Sequence, residues 1–345
     1  MMLKKTACEM LTVLVIGLIA VFVFPNYVAF YTVISSTIYV SLAILALSLA
    51  LVWGYGGILC FGQAAFFGLA GYTYAVGAFN FEVTAYAAVI AVIVPVIFSA
   101  VLGYFMFYGR LNDVYLGVIT LTVTLILFKL ANSTAGDIYT IGNARLGGFN
   151  GMPGTPLLAN PFGNGEPLSP HALFVLATVL LLLSYFGCRW LLSTRFGRVM
   201  VAIRENETRA ELLGYDSRRY KLIFFCVGAG IAGISGMLFA NAVFVSPTMF
   251  SLNYTAQILI WVIVGGLGTL MGPVIGCIVL QVITAYLGKT GLIDPSAALG
   301  LILIVFVLLV PKGLLPLLTE LPDRIRQRKK LLSAEPAASD KGEQQ

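Results

Sequence analysis

RFGRVMVAIRENETRAELLGYDSRRYK, residues 195–221, is a run of charge between two long apolar stretches at 171–193 and 221–244. It holds Arg195, Arg198, Arg204, Arg209, Arg218, Arg219 and Lys221, in a chain only 10% of whose 345 residues are charged. Soluble domains carry about 25%. Here 59% of the residues are hydrophobic and the mean hydropathy is +0.95. So few charges cannot build a polar shell, and the solvent around most of the surface is lipid. The class is an all-α polytopic membrane protein, which excludes a soluble enzyme. A net charge of +6 would suggest nucleic acid on a soluble protein, but here it reads as topology.

A helix needs about 20 apolar residues to cross the bilayer core. Runs near that length lie at 8–25, 30–53, 62–80, 84–107, 113–133, 171–193 and 221–244, with a last one at 297–311. The stretch 255–288 is apolar but broken by Gly265, Gly266, Gly268, Gly272 and Pro273. Read as one span it makes nine helices; read as a hairpin of two shorter helices it makes ten. Positive residues arbitrate, because they collect on the cytoplasmic side. Lys4 and Lys5, the 194–221 segment, and Lys312 with Arg324, Arg326, Arg328, Lys329 and Lys330 all demand that side. Both ends inside requires an even number. About ten transmembrane helices are therefore expected within residues 1–318, with 194–221 inside after the sixth.

The segment 134–170 then falls outside. It has Arg145, no Lys and many Gly, Asn and Pro, so an irregular cap with short helical turns is expected. Residues 319–345 read as a basic and then polar cytoplasmic tail, disordered, whose basic cluster suits lipid headgroups. The N-terminus could pass for a signal peptide. Glu9 interrupts its apolar run and no small-residue cleavage site follows, so an uncleaved span is expected.

Nothing in the chain points to catalysis. It has no GxxxxGK[ST] phosphate loop, HExxH, GxSxG or paired-carboxylate site, so any ATP hydrolysis must come from another protein. Cys8, Cys60, Cys188, Cys226 and Cys277 form no CxxC pair and read as small buried hydrophobes. His171 opens a span without a Cys or carboxylate neighbour, so neither a metal nor a cofactor is expected. Polar residues inside the runs are few: Gln63, Thr120, Thr122, Thr124, Lys129, Asn132, Asn241, Gln257 and Gln281. None is acidic, whereas ion-driven carriers bury carboxylates for the coupling ion. Thr120, Thr122 and Thr124 cannot share one face of a regular helix. One can face a path while another bonds back to the backbone.

Gly268, Gly272 and Gly276 recur every four residues and would share a face if their segment is helical. Ala229–Gly233, Ala232–Gly236 and Ala64–Gly68 are further small pairs. Such faces let membrane helices approach closely, either in fixed packing within the subunit or at a moving seam. Gly54, Gly56, Gly57 and Gly62-Gln63, and later Gly265-Gly266-x-Gly268, break apolar runs at a membrane boundary. Tight turns between helices fit these breaks, and so does unwound backbone beside a path.

Within the charged segment, Asn206 can cap a short helix from Glu207 to Leu213, with acids in its first turn and Gly214 as its stop. Ala210, Leu213 and Gly214 would then give a small apolar contact surface beside Glu207 and Arg209. A loop that only sets topology needs no such mixture, but a helix that slots into a groove on a soluble partner does.

RENETRAELLG (204–214) followed by YKL resembles the cytoplasmic coupling loop of permease subunits in branched-chain amino acid ABC importers. FGQAAFFGLAGY (61–72), VYLGVITLT (114–122), GGFNGMPG (147–154), SPTMFS (246–251), VGGLGTLMGPVIG (264–276) and VPKGLL (310–315) resemble further segments of that family, in order. The resemblance runs from about residue 35 to 318 and is nearest the M-type permease, with urea-importer permeases related. It implies a bacterial inner-membrane subunit with a second homologous permease, two cytoplasmic ABC ATPases and a periplasmic substrate-binding protein as partners. It implies ATPase docking through Glu205, Glu207, Arg209, Ala210, Leu213 and Gly214, and places Gln63, Tyr115, Thr120, Thr122, Gly148 and Asn150 near the translocation path. Gln63 stands where a His is common, and Leu125 where many amino-acid permeases have a Glu. These departures leave the solute open between a branched-chain or related amino acid and a neutral urea or amide. An autonomous channel, a secondary carrier or a scaffold would need no ATPase at the charged loop.

Overall fold

Lipid offers backbone groups no hydrogen-bond partners, so apolar runs in a membrane become helices. A computed structural model describes residues 29–136, 138–159 and 165–290, with isolated helical positions between 13 and 21 and between 297 and 304. Helix α1 (Phe30–Leu49) continues as a π-helical turn, Ala50–Tyr55. There follow α2 (Gln63–Asn80), α3 (Thr84–Tyr108), α4 (Asp113–Ser133) and α5 (Pro170–Ser193). The charged segment forms α6 (Arg195–Glu205) and α7 (Glu207–Leu212). Beyond it lie α8 (Ser217–Ala242), α9 (Leu252–Gly265) and α10 (Met271–Thr290).

Among the described residues, six helices are long and apolar enough to cross a membrane: α1 with its π turn, α3, α4, α5, α8 and α10. The stretch 255–288 is two helices, α9 and α10, packed on each other across a turn at 266–270. The spans expected at 8–25 and 297–311 lie outside the described residues apart from the isolated helical positions, as do Cys8 and the tail 319–345.

Helix α8 sits at the centre, against α1, α2 and α3. Its small residues explain why. An added Cβ at Gly236 would lie 2.0 Å from the Phe67 carbonyl oxygen of α2, and one at Gly228 would lie 2.1 Å from Val52 Cγ2. Backbones approach where side chains are missing, which is how helices associate without a hydrophobic force between them. Ser41 Oγ donates to Ser235 O at 2.8 Å, and Ser235 Oγ donates to Ser41 O at 2.7 Å, tying α1 to α8. Helix α4 is looser, with Val114, Val118, Ile126 and Leu130 exposed on an outward apolar face.

The segment at 138–159 has the expected irregular backbone with a short helical turn, and adds strands that were not expected. It contains a two-stranded hairpin, β1 (Thr140–Ile141) against β2 (Ala144–Arg145), followed by a single 3-10 turn at Gly148–Asn150. Gly142-Asn143 supplies the two-residue turn after the strand-favouring Tyr139, Thr140 and Ile141, a hairpin signal legible in the sequence. Asn80 holds the hairpin to α2, its Nδ2 donating to Ile141 O at 2.9 Å and its Oδ1 accepting from Asn143 N at 2.8 Å.

Candidate functional site

The charged segment is capped at each joint. Thr194 Oγ1 accepts from Gly197 N at 3.3 Å and starts α6, whose Gly197, Met200 and Ile203 face inward. Asn206, extended at φ −160°, breaks the helix, and its Oδ1 accepts from Arg209 N at 2.8 Å to start α7. Gly214, at φ +88°, ends the segment in the left-handed region that favours glycine.

Two side chains pin α7 to the start of α8. Glu207 Oε2 accepts from Lys221 Nζ at 2.7 Å, and Glu211 Oε1 accepts from Ser217 Oγ at 2.5 Å. Glu207, Ala210 and Glu211 thus form the inner face of α7. Ala210, expected on the contact surface, is buried beneath the helix instead. The apolar residues that α7 offers outward are Leu212 (83% exposed) and Leu213 (74%), with Glu205, Arg209 and Gly214 also exposed. Leu212 was not singled out by sequence. Its partner Leu213 carries the same signal, two adjacent leucines in a charged segment.

The second group of candidates lies where helices break. Phe61 N donates to Thr120 Oγ1 at 3.1 Å, which anchors the start of α2 on α4. Gln63, the first residue of α2, is 2% exposed, and neither Nε2 nor Oε1 has a hydrogen-bond partner among the described residues. Its crevice, walled by Leu49, Cys60, Phe61, Thr255, Ile258 and Leu259, is too narrow for a water molecule. Unpaired buried amides are rare because each costs its full desolvation.

Of the other path candidates, Thr120 meets the start of α2 through Phe61 N, and the rest do not join Gln63. The three alternating threonines all bond back four residues: Thr120 to Leu116 O, Thr122 to Val118 O and Thr124 to Thr120 O. Thr120 and Thr124 are buried, while Thr122 and Tyr115 lie on the exposed face of α4. Gly148, buried against Ala135, and the exposed Asn150 belong to the 3-10 turn beyond the hairpin. Nearer that end, Tyr72, Val76, Leu127, Leu130, Ile141 and Phe250 help line an apolar cavity of about 430 Å³. The Tyr72 hydroxyl has no partner among the described residues.

The glycine ridge needs correction. Gly268 lies in the turn between α9 and α10, so it shares no helical face with Gly272 and Gly276. Gly266 at φ +111° breaks the helix first. The close contact is instead between Gly265, Gly272 and Gly276: an added Cβ at Gly272 would lie 2.3 Å from Gly265 O, and one at Gly276 would lie 2.7 Å from Trp261 O.

A junction that sequence reasoning missed links these two groups. Arg204 Nη1, from the last turn of α6, donates to Gly54 O in the π turn of α1. Tyr55 Oη donates to Gly268 O at 3.2 Å, and an added Cβ at Gly54 would lie 2.2 Å from Leu267 O. No local pattern announces this contact, since its partners stand 150 residues apart. Among the described residues no cluster of His, Cys, Asp or Glu could hold a metal ion.

Over residues 28–310 the chain matches the family described as branched-chain amino acid transport system / permease component. It is 30% identical over 319 residues to the high-affinity branched-chain amino acid transport system permease protein LivM of Escherichia coli, covering 88% of this chain and 74% of that protein. It is 24% identical over 282 residues to the probable branched-chain amino acid transport permease protein LivM of Methanocaldococcus jannaschii, covering 71% and 77%. A shorter likeness, 28% over 139 residues, joins it to the fructose import permease protein FruG of Bifidobacterium longum, covering 38% and 41%. No solved structure matches the chain.

Proposed function

The chain belongs to the branched-chain amino acid transport system / permease component family, and on that premise we propose that it is the membrane-spanning permease subunit of an ATP-binding-cassette importer for branched-chain or related amino acids. The subunit is non-catalytic and sits in the inner membrane as a multi-pass protein. Two separate ATPases supply the energy, a periplasmic binding protein delivers the solute, and a second homologous permease completes the path.

The observation that carries this reading is α7, capped at Asn206, pinned from beneath by Lys221 and Ser217, and turning Leu212 and Leu213 outward. Apolar side chains held out on a braced charged helix fit a groove on a soluble partner. Glu205, Arg209, Leu213 and Gly214 meet the ATPase in this reading, while Glu207 and Ala210 hold the helix that presents them. Closure of the ATPases moves α7 and tilts the spans, so that access alternates. Residues 1–318 are the permease domain, with about ten spans, 134–170 outside, 194–221 and both termini inside, and 319–345 a cytoplasmic tail. The separation of α9 from α10 supports the even count. Gln63 and Thr120 are the path residues best placed at a helix break. Tyr115, Thr122 and Asn150, which are exposed, serve only at a seam with another subunit, and the buried Gly148 shapes the turn that carries Asn150. A urea or amide as solute is the second reading, favoured by the uncharged Gln63 and Leu125.

Co-purification tests the proposal. Wild-type chain co-expressed with the ATPases retains them and supports ATP-driven leucine uptake in vesicles. Leu213→Asp, at a position 74% exposed, leaves the fold intact but loses both. A wild-type chain that retains no ATPase, or an L213D variant with undiminished uptake, overturns the reading. Uptake of labelled urea in place of leucine would move the assignment to the second solute class.

A further inference from the structure

We propose that Arg204 is the positioning residue through which movement of the charged segment is passed to the inner ends of α1 and α9–α10. The inference rests on the permease reading and names a part within it. The last carbonyls of any helix lack partners inside the helix. At the end of α1, Leu51 O, Trp53 O and Val52 O accept from Gly56 N, Gly57 N and Ile58 N at 3.1, 3.1 and 3.2 Å. The next carbonyl along, Gly54 O, accepts from the Arg204 guanidinium. A cation also suits the negative end of the α1 dipole. Helix α6 thus caps α1 from a distance. The Arg204 stem runs along Gly57, where an added Cβ would meet Arg204 Cγ at 2.7 Å.

Three features make this contact a transmission point and not a simple brace. The turn it grips is π-helical, a rare form that is frequent at functional sites. The same turn also touches the α9–α10 turn, through Gly54 against Leu267 O and Tyr55 against Gly268 O. Only Asn206 separates α6 from α7, so α7 cannot shift without pulling on the residue that holds Gly54. From Gly57 the chain runs six residues to Gln63, at the start of α2, whose amide has no partner among the described residues. A displacement at the charged end therefore reaches three helix breaks through one guanidinium. Arg204 is an exposed residue outside the packed core, so its removal leaves that core untouched.

The test uses the whole importer reconstituted in lipid vesicles, with leucine-loaded binding protein. ATP hydrolysis and leucine uptake are measured together, and the readout is solute moved per ATP hydrolysed. Arg204→Ala should assemble with the ATPases, keep its basal hydrolysis, and lose roughly tenfold in uptake per ATP, the effect of removing one charge-assisted hydrogen bond between a driving and a driven element. Arg204→Lys, which keeps the cation at the helix end, should stay within about threefold of wild type. R204A with wild-type uptake per ATP overturns the proposal. So does R204A that folds but no longer binds the ATPases, since Arg204 would then be a docking residue. If R204A fails to fold, Arg204→Gln takes its place under the same criteria. Wild type without ATP-driven uptake of any solute would sink the permease reading itself, before any variant is compared.

Discussion

Replacing Gln63 with Met should make this protein more stable and less active. Both polar atoms of the Gln63 carboxamide are buried without a partner among the described residues, in a crevice that admits no water. A buried group left unpaired costs about 1–3 kcal/mol. Methionine has nearly the same length and volume, and volume-conserving swaps are tolerated well. The packing against Leu49, Ile258 and Leu259 survives, so the lost penalty dominates. The expected gain of about 1–3 kcal/mol corresponds to a factor of roughly 5 to 150 in the unfolding equilibrium. Far-UV circular dichroism can follow unfolding in detergent, since the described residues are mostly helical. Gln63→Met should melt higher than its parent and transport less in vesicles. A lower melting temperature would show that the amide has a partner in the folded protein, and the reasoning would fail. A higher one with full transport would remove Gln63 from the path.

Two further substitutions probe the elements that frame the site. Asn206→Ala removes the α7 cap and should cost that helix about 1 kcal/mol, seen as faster hydrogen exchange over 207–212 and weaker ATPase binding at an unchanged melting temperature. At Tyr74 the hydroxyl lies 2.9 Å from Asn241 Oδ1 and 3.1 Å from Pro156 O, with one proton between two acceptors. Tyr74→Phe should destabilise by about 1–2 kcal/mol and speed proteolysis of 151–159, because it loosens that segment from α2 and α8.

Features closed over a few residues were legible in advance. The cap at Asn206 and the stop at Gly214 could be read from type and spacing, since a cap bonds an amide three residues on. The break at Gly265-Gly266 was legible for the same reason. Other readings failed where they assumed something about neighbours. The Gly268–Gly272–Gly276 ridge assumed an unbroken helix, and Gly266 breaks it. Placing Ala210 outward assumed α7 was free, whereas Lys221 and Ser217 hold its Glu207–Glu211 face against α8. The hairpin at Thr140–Arg145 is signalled only by Gly142-Asn143, and the glycine-rich composition around it points to irregular backbone with helical turns instead.

Composition and charge placement alone determined that this chain lives in lipid, and motif order alone determined its family. Both are sums over many residues, so no contact needs to be known. Only the tertiary structure decided that Gln63 has no partner among the described residues, that Leu212 and Leu213 face outward, and that Arg204 closes the end of α1. Each depends on which atoms meet across helices. Arg204 and Gly54 are 150 residues apart and become neighbours only once α1 and α6 have packed together.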